Sequence, residues 1–157
     1  MTTPASPEDV FPGLRGTSYW VTSCATLRPP WYNCVAWALG DDTQWWEAGR
    51  LDPNCHWPHG VLDDGTLAAY LQLFRSRGYV DCQGEALEPG HEKIAIYELA
   101  GQFKHVAYQR DDGVWLSKLG FSFDIEHASL TALAGPRYGT PNTIMRRPWR
   151  STRACPQ

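Results

Sequence analysis

The chain has 157 residues, 43% of them hydrophobic and 20% charged, a size and balance that suit one domain with a core of its own. No run of about 18 apolar residues occurs, so no membrane-spanning helix is expected. The net charge of −3 sets the chain apart from general polyanion binders.

Residues 1–16 hold Pro4, Pro7, Pro12, Gly13 and Gly16 and read as an extended N-terminal arm. Their polar, acidic start has no basic region followed by an apolar one, unlike a secretory signal, and a cytoplasmic location is expected. Residues 17–27 suit a short strand or a covering loop. NCVAWALG (33–40) predicts a short helix, with Asn33 near its N-cap, Gly40 at its end, and Pro29 and Pro30 fixing its approach. Residues 43–60 read as a loop carrying Trp45, Trp46 and Trp57. LDDGTLAAYLQLFRSRG (62–78) predicts the best helix of the chain. Asp63 or Asp64 would cap it, Leu67, Tyr70, Leu71 and Phe74 would form its apolar stripe, and Gly78 would end it.

The period then changes to two. Residues 79–82, 93–99, 104–110 and 114–120 read as strands, and the DDG at 111–113 as a tight turn. With that turn near Asp112, residue 105 falls opposite 119 and residue 107 opposite 117. Residues 125–135 suggest a short helix and 142–148 an edge strand. Helices first and an antiparallel sheet of four to five strands afterwards is an α+β pattern, contained in one domain over 17–148. Arg137, Arg146, Arg147, Arg150 and Arg153 make the end of the chain basic. Residues 149–157 read as a solubilising tail rather than a nucleic-acid contact.

Five cysteines, an odd number with no C-x-x-C pair, point to reduced thiols in a cytoplasmic chain. Cys34 stands out because it falls in the first turn of the expected helix. There the positive end of the helix dipole and free backbone N–H groups favour a thiolate and can hold an oxyanion. Such a thiol needs an imidazole base, and His105 opens a strand. The polar residues beside it on the next strand are Ser117 and Lys118, with Asp124 just beyond.

A cysteine on a helix N-terminus, then a histidine starting a strand, then a polar residue on the following strand resembles the papain-like cysteine hydrolase superfamily. The blocks YNCVAWALGD, LEPGHEKIAIY, KHVAYQRDDGVWLSKLG and DIEHASLTAL are similar to those of an uncharacterised bacterial domain family, over most of residues 31–148. The resemblance implies a papain-like fold and a Cys34–His105 pair. It implies action on an amide, isopeptide or thioester bond of a peptide, a protein or an amide-containing small molecule, with no cofactor. The superfamily's third member is usually Asn, Asp or Gln, whereas Ser117 and Lys118 stand at that place here. The orienting group is then Ser117, Lys118, Asp124 or Glu126. Asn33 is the candidate side chain for the oxyanion.

Several features carry a second reading. Trp37, Trp45, Trp46 and Trp57 would line a substrate groove or simply pack the core. Asp41 and Asp42 would attract a basic substrate group or remain solvated. Cys34 itself would be an inert apolar packer if the domain is a binding or structural module. Cys55, His56 and His59, joined by Cys82 or His91, would make a zinc-stabilised domain or zinc hydrolase the remaining alternative; no metal site is assigned.

Overall fold

Residues 6–24, 32–50, 52–119 and 123–149 are described by a computed structural model of the chain. The alternating pattern after residue 79 accounts for most of the architecture. In chain order the elements are α1 (Pro7–Val10), β1 (Tyr19–Cys24), α2 (Cys34–Ala38), β2 (Trp45–Trp46), β3 (Cys55–His56) and α3 (Leu67–Ser76). Then come β4 (Val80–Cys82), β5 (His91–Leu99), β6 (Gln102–Gln109), β7 (Trp115–Leu119), β8 (Phe123–His127) and β9 (Thr140–Pro148). Seven strands form one sheet in the order β1-β8-β7-β6-β5-β9-β4, and every neighbouring pair in it is antiparallel. β2 and β3 form a separate two-stranded parallel ladder.

This overturns the expected helices packed on a sheet of four to five strands: the regular structure among the described residues is mostly β, and its α-helices span only four, five and ten residues. Two misread segments enlarge the sheet. Residues 123–127, expected to begin a helix, are β8, and only Thr131–Leu133 forms a 3-10 turn. Phe123, Ile125 and His127 alternate inward while Glu126 pairs with Arg110, so period two wins over the apolar spacing that suggested a helix. β9 is not an edge strand. It lies between β5 and β4, and the short β4 takes the edge.

The N-terminal stretch also differs from the expected extended arm. Ser6 and Asp9 cap α1 reciprocally, Pro12–Leu14 forms a 3-10 turn, and Phe11 and Leu14 are buried. α3 begins at Leu67, capped by the Thr66 hydroxyl accepting from the Ala69 N–H at 3.3 Å. Asp63 instead accepts from the Gly49 N–H, and Asp64 from Thr66. α3 buries Ala69, Tyr70, Leu73 and Phe74, a stripe displaced from the expected one.

Alternation along β5 and β6 feeds two apolar cores on opposite faces. Ile94, Ile96, Val106 and Tyr108 join α2 and α3 on one face. Ala95, Tyr97 and Ala107 join Phe11, Leu14, Trp115, Ile125 and Leu133 on the other. Each fully buried large apolar side chain contributes roughly 1.5–3 kcal/mol. Arg146 and Arg147 lie in β9. Arg146 pairs with Glu88. Arg147 pairs with Glu92, donates to the Arg77 carbonyl at 2.8 Å, and stacks over Tyr79. The tail from Arg150 lies outside the described residues. Among those described, no helix is long and apolar enough to cross a membrane.

Candidate functional site

The site arises where two neighbouring strands part. The hairpin of β6 and β7 closes on the register that the turn dictates, Tyr108 opposite Leu116 and Gln109 opposite Trp115, with Gly113 at a φ of +89° in the turn. Beyond Tyr108 the ladder stops, so residues 105 and 107 have no strand partner at 119 and 117. α2 packs against both strands at this split. Asn33 fixes it there: its Oδ1 accepts from Ala36 N–H at 3.1 Å and Trp46 N–H at 3.2 Å, and its Nδ2 donates to the Trp46 carbonyl at 2.5 Å. Asn33 therefore works as the helix cap and as the tie to β2, and the amide donor it could offer an oxyanion is engaged by the Trp46 carbonyl.

Cys34 is the first residue of α2 and is half-buried. Burial pushes its thiol up to about 11, against the backbone N–H groups of Val106, Val35 and Cys34 itself and the charge of Lys118, which favour the thiolate. The expectation of a sulfur made acidic by its helix is therefore wrong for the resting protein. Five residues give a short dipole, and desolvation outweighs it.

His105 is fully buried, next to Val106 in β6. The Tyr138 ring stacks on its imidazole at 4.4 Å, 5° from parallel. Its Nε2 lies 3.0 Å from Ser117 Oγ, and Ser117 Oγ lies 2.7 Å from His127 Nε2. His127 Nδ1 lies 3.0 Å from the Ser129 carbonyl oxygen. That carbonyl can only accept, which assigns every proton in the row. His127 Nδ1–H donates to it, leaving Nε2 as an acceptor. The Ser117 hydroxyl donates to that Nε2, so the Ser117 oxygen accepts from His105 Nε2–H. His105 Nδ1 is then a bare lone pair, and among the described residues it has no hydrogen-bond partner. Burial holds His105 down to about 3 and His127 to about 4, so both rings are neutral at pH 7.

Cys34 and His105 line the same cavity, about 580 Å³ in volume. Its apolar wall includes Phe11, Phe123 and the stacked pair Tyr70–Phe103, with centroids 3.9 Å apart. Of the four tryptophans expected there, Trp45 lines it. Trp37 is buried in α2, and Trp46 sits in the core with its Nε1–H on Asp41 at 2.7 Å. Trp57 donates to the Leu62 carbonyl and turns its edge to Tyr70. Asp41 is occupied by Thr43, Gln44 and Trp46, and neither it nor Asp42 lines the cavity.

Among the residues that could orient His105, Ser117 makes the contact. Lys118 lines the cavity but pairs with Asp124 at 3.1 Å and lies over the Tyr32 ring, while Glu126 pairs with Arg110. His127 was missed because its segment read as a helix; the alternation Phe123, Ile125, His127 was the available signal. Among the described residues no three His, Cys, Asp or Glu gather to hold a metal ion. His56 instead meets the Trp46 ring edge-on at 4.4 Å. Cys34, Cys55 and Cys82 are free thiols.

Residues 20–146 match the model of a family described as a domain of unknown function (DUF7689). No curated protein and no solved structure matches the chain.

Proposed function

Given that the chain belongs to the DUF7689 domain family, whose description names no activity, we propose from the site itself that it is a cysteine-dependent acyl hydrolase or transferase. The observation that carries this reading is the row Ser129–His127–Ser117–His105. It commits Nε2 of His105 and leaves Nδ1 buried without a hydrogen-bond partner, in a residue that lines the same cavity as Cys34. An unpartnered buried polar atom costs about 1–3 kcal/mol, which favours a role for it when substrate is present.

The chemistry is that of a neutral thiol and a neutral imidazole. As Cys34 Sγ attacks the carbonyl carbon of an amide, isopeptide or thioester, its proton passes to His105 Nδ1. The carbonyl electron pair moves onto oxygen, facing the N–H groups at the start of α2 and at Val106. When the tetrahedral species collapses, the imidazolium returns the proton to the leaving amine or thiol, and an acyl thioester remains on Cys34. Water or an acceptor amine, deprotonated by the same Nδ1, then displaces the sulfur, and the imidazolium returns that proton to the departing Cys34 thiolate. A peptide, a protein or an amide-containing small molecule would supply the bond, and this chemistry calls for no cofactor.

The high thiol pKa favours a second reading, in which Cys34 is an inert packing residue of a binding module. Intact-mass measurement with an activated acyl thioester separates the two. The hydrolase reading expects one acyl group on the protein, absent in Cys34→Ala and then lost with time. His105→Gln should slow acylation by about 10²–10⁴-fold. Acylation that survives Cys34→Ala would move the chemistry elsewhere, and none in the unsubstituted protein would leave the binding module standing.

A further inference from the structure

We infer that the cavity around Cys34 takes acyl compounds carrying a carboxylate, a statement of substrate class that rests on the acyl-transfer reading of the same site. Three cations line the cavity, Lys104, Lys118 and Arg137, against a single acid, Glu47. That acid is already engaged: it accepts from Arg50 and from Trp45 Nε1, each at 2.9 Å. Lys118 is neutralised by Asp124. Lys104 and Arg137 are exposed at the cavity, and neither has an ion pair among the described residues. The lining is therefore positive in a chain whose net charge is −3, so the local field is opposite to that of the whole molecule.

The placement of Arg137 is built into the backbone. Gly135 and Gly139 exchange hydrogen bonds at 3.0 and 2.8 Å, pinching residues 135–139 into a closed loop. That loop delivers Tyr138 onto the His105 ring and Arg137 to the cavity beside it. A guanidinium there offers the planar fork that suits a carboxylate. Phe103, Tyr70 and Phe123 supply the apolar surface for the rest of the acyl chain. The substrate so described has an apolar body, a reactive carbonyl at Cys34, and one carboxylate held by Lys104 and Arg137.

Iodoacetate and iodoacetamide, alike except for a carboxylate, test this on the intact protein. Each alkylates a thiolate by displacement of iodide, and peptide mass gives the rate at Cys34. The rate ratio, iodoacetate over iodoacetamide, should exceed that of neutral N-acetylcysteine methyl ester by roughly threefold or more at low salt. The double substitution Lys104→Gln and Arg137→Gln, at two exposed positions, should return it to the reference value, as should added salt. A ratio at or below the reference, or one the double substitution leaves unchanged, overturns the inference. If acyl transfer to Cys34 still proceeds then, the hydrolase reading stands alone. A raised ratio with no acyl transfer sinks catalysis and keeps the anion preference. Cys34 alkylated by neither reagent, while Cys82 is alkylated by both, overturns the two together.

Discussion

Acidification should loosen this protein through the row of buried rings. His105 and His127 are held well below the ordinary histidine value of about 6.5 by burial, to about 3 and about 4. Their folded pKa values are depressed, so between roughly pH 4 and 6.5 the unfolded chain binds protons that the folded chain refuses. The stability contributed by keeping the rings neutral is fully present above about pH 6.5 and is lost as pH falls towards the folded values. Between pH 7 and pH 5 each ring accounts for about 2 kcal/mol, from about 1.4 kcal/mol per pH unit over the 1.5 units below 6.5, so the pair loses about 4 kcal/mol. Urea unfolding at the two pH values measures it. His127→Gln keeps an acceptor for the Ser117 hydroxyl but does not titrate, and should halve the loss to about 2 kcal/mol. A loss under 1 kcal/mol in the unsubstituted protein, or one that His127→Gln leaves intact, would refute the neutral, tautomer-fixed row.

Ser117→Ala strips the middle of the row and leaves His105 Nε2–H and His127 Nε2 buried without partners. We expect about 2–4 kcal/mol of lost stability by urea titration, together with slower acylation of Cys34; unchanged stability would mean that the hydroxyl is not the bridge. Gly139→Ala places a Cβ 1.9 Å from the Glu98 carbonyl oxygen at a φ of +73° and should cost about 3 kcal/mol or more. A melting temperature within 2 °C of the unsubstituted protein would contradict the close approach.

What could be read in the sequence was mostly local. The DDG turn set the hairpin register, because Tyr108–Leu116 and Gln109–Trp115 follow from its centre. The start of α2 at Cys34 was legible from Asn33 and the apolar run behind it. What was missed depends on distant pairings. β1 joins β8 across about a hundred residues, and β9 returns between β5 and β4; neither neighbour is encoded near the strand itself. The parting of β6 and β7 is equally nonlocal, since it shows only where α2 packs against both strands. The thiol was misjudged for a related reason. Helix position can be read from a chain, whereas desolvation depends on everything that folds over the residue.

Phe11 lines the cavity and, with Leu14, fills the core beneath it, yet both precede residue 20, where the family match begins. Arg147, the partner of Glu92, lies one residue past residue 146, where the match ends. A fragment cut to the matched span would lose a wall of the cavity, gain a hollow under the sheet, and strand a buried carboxylate. Expression of this domain should start upstream of Pro7 and run through Trp149, and an affinity handle fused at the front belongs on a spacer that leaves Phe11 seated.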